Sequence, residues 1–256
     1  MRKLVVCLDG TGNAVGDRET NVLKLYKALE DSDTQIRHYV MGVGTNDSQR
    51  MLGGFRQKVR GVLGLAFGLG LEDDVLEAYG FLCRNWRTRK DNARALDLDE
   101  DKAVSDRIYI FGFSRGAYAA RVLAGFINNF GLVDPARLYM VTPAFRAYRR
   151  VSDFRPDQDP DKVYQALREF EDVLKPESNV PIRCLGLFDT VSSMVRFRRL
   201  GHNLWQHGSL MELGTHAGVN SNPSVRIVLH ALAIDERRSM YRPQLWDPQT
   251  YKDENG

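Results

Sequence analysis

The chain has 256 residues, 43% of them hydrophobic and 27% charged, with a net charge of +3. That length suits one α/β domain with an ample core, and the near-balanced charge argues against a nucleic-acid partner and only weakly for contact with an anionic surface. Three cysteines, Cys7, Cys83 and Cys184, lack metal-ligand spacing and sit in apolar runs, so they read as buried free thiols of a reducing compartment.

In chain order, MRKLVVCLDG enters a strand at once, with an apolar part too short for a signal peptide. Lys3 to Leu8 reads as a fully buried strand and Asp9 to Asn13 as a turn. Helical spacing of Val22, Leu25, Tyr26 and Leu29 predicts a helix over Asn21 to Glu30, and Ile36 to Val43 a second strand. Residues 44–70 are glycine-rich and irregular, and 52–71 offer an apolar lid or pocket. Their most apolar part, GVLGLAFGLGL, is about half the length needed to span a bilayer. Val75, Leu76, Tyr79, Leu82 and Cys83 share one face of a helix over Glu72 to Trp86. Asp91 to Asp106 reads as a polar surface excursion, Arg107 to Phe111 as a strand and Arg115 to Phe130 as a helix. Helical patterns follow at 134–149 and 161–174, then a buried strand from Pro181 to Phe188. Residues 196–222 read as loop, Pro223 to Arg238 as an amphipathic helix with proline at its start, and the tail from Tyr241 as turns without a strand. Basic clusters at Arg146 to Arg150 and Arg196 to Arg199 read as solvated faces. Strands alternating with helices predict a single α/β domain over 1–256, with a mostly parallel sheet covered on both faces.

One turn concentrates the chemistry. Gly112-Phe113-Ser114-Arg115-Gly116 lies between the strand RIYIF and the small-residue helix GAYAARVLAG. That is the setting of the G-x-S-x-G nucleophile elbow, in which a serine on a strained strand-to-helix turn presents its hydroxyl at the C-terminal edge of a sheet. Glycines two residues to either side, Gly112 and Gly116, remove side chains that would clash there. The Arg115 N–H opens the helix and suits an oxyanion. The alternative is an ordinary turn with a capping serine.

A carboxylate and further donors are sought at the same edge. Asp189 ends the strand IRCLGLF and follows Ser114 in the order that α/β-hydrolases use; the alternative is a turn-capping aspartate. The loop Asp9-Gly10-Thr11-Gly12-Asn13 follows the first strand, and its backbone N–H groups, those of Gly10 and Thr11 first, are the expected partners of Arg115 in an oxyanion hole. A phosphatase reading of this loop fails because Cys7 stands where the nucleophilic carboxylate of an Asp-x-Asp-x-Thr motif belongs. The base is not legible. His230 falls inside the predicted helix 223–238 and reads as a core or groove residue, while His202, His207 and His216 lie in the loop region with no preceding strand.

LDGTGN at 8–13, FGLGLEDDVLEAYGFL at 67–82, IYIFGFSRGAYAARVLAG at 108–125, LGLFDTV at 185–191 and HALAIDERRSMYRPQLW at 230–246 occur in this order. Together they resemble the α/β-hydrolase family that includes type VI secretion phospholipase effectors. The resemblance covers nearly the whole chain and implies a Ser-Asp-His hydrolase of lipid esters, with Ser114 as nucleophile and Asp189 as acid. It also implies a secretion-machinery or immunity partner and transient contact with a membrane surface. In that family a strand after the RPQLW-like block leads to a G-V-H-S-x-V-G-G-G-Y loop that supplies the histidine. No such block precedes Gly256, so the expectation is a catalytic domain without its last strand, in which no histidine joins Ser114 to Asp189.

Two other functions compete: a thioesterase or small-ester esterase on the same scaffold, and a binding module or inactive fragment. No H-E-x-x-H, Cys/His cluster or Asp-rich calcium loop occurs, so neither metal nor cofactor is expected. A cytoplasmic protein, or an effector delivered without a signal peptide, fits the absence of a leader and of a membrane-length segment.

Overall fold

The computed structural model describes residues 1–10, 19–42, 70–152, 160–190, 195–197, 211–213, 221–235 and 245–246. Five strands form one sheet: β1 (Lys3–Leu8), β2 (Gln35–Val40), β3 (Arg107–Phe113), β4 (Ile182–Phe188) and β7 (Val228–Ala231). Their order is β2-β1-β3-β4-β7, and every neighbouring pair is parallel. Two further short strands, β5 (Val195–Phe197) and β6 (Met211–Leu213), pair antiparallel with each other. Parallel strands are joined by crossovers rather than hairpins, and between the first four the described residues supply α1 (Asn21–Ala28), α2 (Leu71–Asn85), α3 (Arg89–Leu96), α4 (Arg115–Phe130), α5 (Val141–Ser152) and α6 (Pro160–Leu174).

Period-two alternation sorts the sheet's side chains to two faces. Leu4, Val6, Leu8, Ile108, Ile110, Leu185 and Leu187 join the larger core with residues of α2, α4 and α5. Val5 and Cys7 point the other way and pack with Val22, Tyr26 and Leu29 of the α1 region. This is an α/β-hydrolase-like arrangement, with a mostly parallel sheet and helices on both faces. The β3 and α4 positions that allow a close approach are glycines: a Cβ on Gly112 would stand 2.3 Å from the Gly116 oxygen, and one on Gly116 would stand 2.2 Å from the Leu8 oxygen. At the N-terminal edge of the sheet the buried Asp106 carboxylate accepts from Arg2 N at 2.9 Å, Arg2 Nη2 at 2.7 Å and Asn92 Nδ2 at 2.9 Å, tying the starts of β1 and β3 together.

Several elements differ from the sequence-based expectation. The described part of the predicted helix 223–238, residues 223–235, is not helical. The chain there turns at Pro223 and enters β7, because Val228 to Ala231 find an open neighbour in the β4 edge at Leu185 to Phe188. The acidic stretch after Asp91 lies mostly at the surface, as expected, but has regular structure. It belongs to α3, opened by a capping box between Thr88 and Asp91, and to a 3₁₀ turn at Glu100–Lys102. The stretch 134–149 divides into a 3₁₀ helix at Pro135–Met140 and α5. The region 196–222 holds part of β5 and all of β6. Among the described residues no helix is long and apolar enough to cross a membrane.

Candidate active site

Ser114 stands between the last residue of β3 and the first of α4 with φ 53° and ψ −116°. A positive φ is costly for a residue with a Cβ, on the order of 1–3 kcal/mol, and persists only where the surroundings over-determine it. Here they do. The Ser114 N–H donates to the Phe188 oxygen at 2.9 Å, and the Ser114 oxygen accepts from the N–H groups of Ala117 at 3.1 Å and Tyr118 at 3.3 Å. The first N–H groups of a helix, here those of Arg115 and Gly116, have no carbonyl partner inside it and carry the positive end of its dipole.

The bond to Phe188 brings the residue that follows β4, Asp189, to the level of Ser114. Phe113 and Phe188 are register partners, so both chains leave the sheet at the same level. Asp189 is itself left-handed, with φ 48°. Its N–H donates to the Ala231 oxygen of β7 at 2.8 Å, which holds the turn against the next strand.

The β1 end closes the third side. A Cβ placed on Gly10 would lie 3.3 Å from the Ser114 Cβ and 3.2 Å from the Phe113 ring, so any larger residue would push this loop or its neighbours apart by a few tenths of an ångström. The loop is set by Asp9, which is buried. Its carboxylate accepts from Gly10 N at 2.7 Å, Thr20 Oγ1 at 2.8 Å and the Tyr39 hydroxyl. The Gly10 N–H is therefore engaged by Asp9, contrary to the expectation that it stands open to an oxyanion. The amide of Thr11 follows it in the loop, and Thr11 and Gly12 lie outside the described residues. Burial, and then Asp9, push the Cys7 thiol up to about 12, so Cys7 is an inert neighbour rather than a second nucleophile.

His230 is placed by β7, not by a helix. It pairs in register with Leu187, which pairs with Gly112, and residues paired in register share a sheet face. Gly112 packs directly on Gly116 and Ala117, so His230 faces the α4 side of the sheet, at the C-terminal end of β7, where Ala231 pairs with Phe188. Its Nε2 lies 3.2 Å from the hydroxyl of Thr190, which is buried. Burial and Arg121 of α4 lower its pKa, and Asp189 opposes them, so the imidazole is neutral near pH 7. This contact joins β7 to the turn that carries Asp189 and Thr190. The sequence signal for it was the β-branched run Val225, Ile227 and Val228, outweighed by the proline that resembles a helix start. His202, His207 and His216 lie outside the described residues, as do residues 52–69 of the apolar lid or pocket expected at 52–71.

Asp74 of α2 was not singled out from the sequence. It forms an ion pair with Arg115, with Oδ2 and Nη2 2.5 Å apart, and both side chains are buried. The described residues contain no group of three or more His, Cys, Asp or Glu side chains that could hold a metal ion.

The model of the family described as the type VI secretion phospholipase effector Tle1-like catalytic domain matches residues 2–256. The uncharacterized protein YEL023C of Saccharomyces cerevisiae (strain ATCC 204508 / S288c) is 29% identical over 260 residues, covering 98% of this chain and 33% of the yeast protein. The chain thus spans about a third of the length of that curated relative. A solved structure of the Tle1 effector bound to the VgrG spike from the Type 6 secretion system is 18% identical at a TM-score of 0.42, over 93% of this chain and 46% of that one.

Proposed function

Because the chain belongs to the family of Tle1-like phospholipase effector catalytic domains, we propose that it is a serine hydrolase of carboxylic esters, with lipid acyl esters as its substrate class. The observation that carries this reading is Ser114 itself, held at φ 53° between β3 and α4, one hydrogen bond away from the residue that precedes Asp189.

In this mechanism the Ser114 Oγ attacks the ester carbonyl carbon. Its proton passes to a histidine that the Asp189 carboxylate orients, and the new O–C bond forms as the carbonyl π pair moves onto oxygen. The oxyanion meets the Arg115 N–H at the start of α4, with the Thr11 N–H as the second donor from the loop that Asp9 shapes. Collapse of the intermediate expels the alcohol, which takes the proton back from the imidazolium, and water then releases the acid by the same route. The His230 contact with the Thr190 hydroxyl favours a supporting role for it over that of the base. The base is sought among the histidines outside the described residues. A delivery machine is the partner class that family membership suggests.

The test is fluorophosphonate labelling followed by peptide mapping, with turnover of p-nitrophenyl esters and of phospholipid vesicles. Label on Ser114, and a loss of turnover of roughly 10⁴-fold or more in Ser114→Ala, are expected. Turnover that survives Ser114→Ala would refute the assignment. Hydrolysis of short soluble esters with none of phospholipid would remove the lipid substrate class while keeping the nucleophile.

A further inference from the structure

We propose that Asp74 is a positioning residue for the reaction at Ser114. Its buried carboxylate anchors the Arg115 guanidinium and so holds the first turn of α4, and with it the Arg115 N–H, in register with the reacting oxygen. The proposal rests on the reading of Ser114 as nucleophile.

The ion pair makes poor sense as a device for stability alone. Arg115 is fully buried, Asp74 is 5% exposed, and their contact is 2.5 Å between Nη2 and Oδ2. Desolvating two charges in this way commonly costs as much as their attraction returns, and apolar residues of similar size do as well or better. The guanidinium is also poorly served, since its Nε and Nη1 are buried without a hydrogen-bond partner. A five-donor group held by one acceptor takes its place from that acceptor.

The location gives the pair its purpose. Arg115 is the residue after the strained Ser114 and the first of α4. Its backbone N–H is the donor nearest the nucleophile, and its side chain is the lever by which α2 reaches that peptide. On the other side the turn is fixed by the Ser114 bond to Phe188 and by the glycine contacts of Gly112 and Gly116. Without Asp74, the side of the turn that carries Arg115 loses its one charged anchor among the described residues. Electrostatics agree with this picture: burial raises the Asp74 carboxyl to about 6, Arg115 on α4 opposes that, and Glu77 and Asp73 on its own helix add to it. Burial likewise lowers the pKa of Arg115.

Two variants test the proposal in the full chain. Asp74→Asn keeps the shape and removes the charge, and the double variant Asp74→Leu/Arg115→Met removes the whole pair. Each is measured for kcat and KM on p-nitrophenyl butyrate at pH 8, for its melting temperature, and for amide exchange across residues 112–120. The expected result is a kcat lower by about 10- to 100-fold, a KM within about twofold of the parent and exchange of the first-turn amides about tenfold faster. The double variant is expected to melt no lower than the parent. A folded double variant with the parent's kcat overturns the proposal, as does a loss confined to KM. If neither variant folds, the pair is structural and the proposal also falls. If the parent shows no turnover dependent on Ser114, the nucleophile reading fails instead. Exchange at Arg115 to Tyr118 then decides the anchoring alone, with parental exchange in the folded double variant overturning it.

Discussion

Gly116 has to be glycine because two backbones share its space. An added Cβ would meet the Leu8 oxygen at 2.2 Å and the Asp9 oxygen at 2.6 Å, and neither belongs to a flexible side chain that could turn away. Gly116→Ala is therefore expected to destabilise the fold by about 3 kcal/mol, read as a lower urea midpoint with unchanged slope. It also displaces the Asp9-Gly10 loop against Ser114, so fluorophosphonate labelling should slow beyond what the remaining folded fraction explains. Thr190 is the milder case. Its hydroxyl contacts His230 Nε2 at 3.2 Å, and Thr190→Val leaves the half-buried imidazole without that partner. A stability loss of about 1–2 kcal/mol is expected, with kcat falling and KM holding as the Asp189 turn loosens. Equal kcat in the valine variant would show that the turn is held by the Asp189 bond to Ala231 alone.

At the scale of elements, the parallel sheet separates stability from chemistry. All five strands run the same way, so their C-terminal ends gather Gly10, Ser114 and Asp189 at one edge. The N-terminal edge has the Asp106 carboxylate, with Arg2 and Asn92 bound to it. Asp106→Ala removes the acceptor from a nearly buried arginine and a buried asparagine. The expected cost is about 3–5 kcal/mol, measured by chemical denaturation. Labelling of Ser114 per folded molecule should stay at the parent's rate, since the site lies at the opposite edge. The strand β7 belongs to this scale too. Four residues with one neighbour in the described sheet form no strand by themselves; β4 makes them one.

Across the whole molecule, the larger core lies on the face of α2, α4 and α5, and the Asp74–Arg115 pair is set within the packing of α2 on α4. The pair gives stability a pH dependence of known sign. Asp74 has its folded pKa raised from 3.8 to about 6. The folded chain therefore binds this proton more tightly than the unfolded chain. Its contribution to stability is fully present below about pH 4 and is lost as the pH rises through about 6. The two-unit shift corresponds to about 3 kcal/mol. The difference in unfolding free energy between the parent and Asp74→Asn should accordingly shift against the parent between pH 4 and 7. A difference that is flat across this range would mean that Asp74 titrates as an ordinary surface carboxylate.

The local sequence determined what local physics controls. The apolar runs of β1, β3 and β4 are buried strands wherever they pair. The small residues after Ser114 permit a helix laid directly on a strand, and the glycines at 112 and 116 mark where the two backbones touch. Those features were enough to place Ser114 on a strand-to-helix turn and Asp189 at a strand end, and to read the fold as α/β. The fate of 223–238 was decided elsewhere. Its proline and apolar spacing are compatible with a helix, and only the unpaired edge of β4 turns Val228 to Ala231 into a strand and brings His230 to Thr190. The engagement of the Gly10 N–H depends likewise on a carboxylate fixed by Thr20 and Tyr39, residues that no local pattern links to Asp9. Asp74 was hidden for the same reason. It is 41 residues from Arg115 in sequence, and a charge on a helix whose first turn is acidic looks solvated until the packing of α2 on α4 buries it. Propensity acts over a few residues, whereas register, burial and ion pairing are set by whatever the folded chain brings alongside.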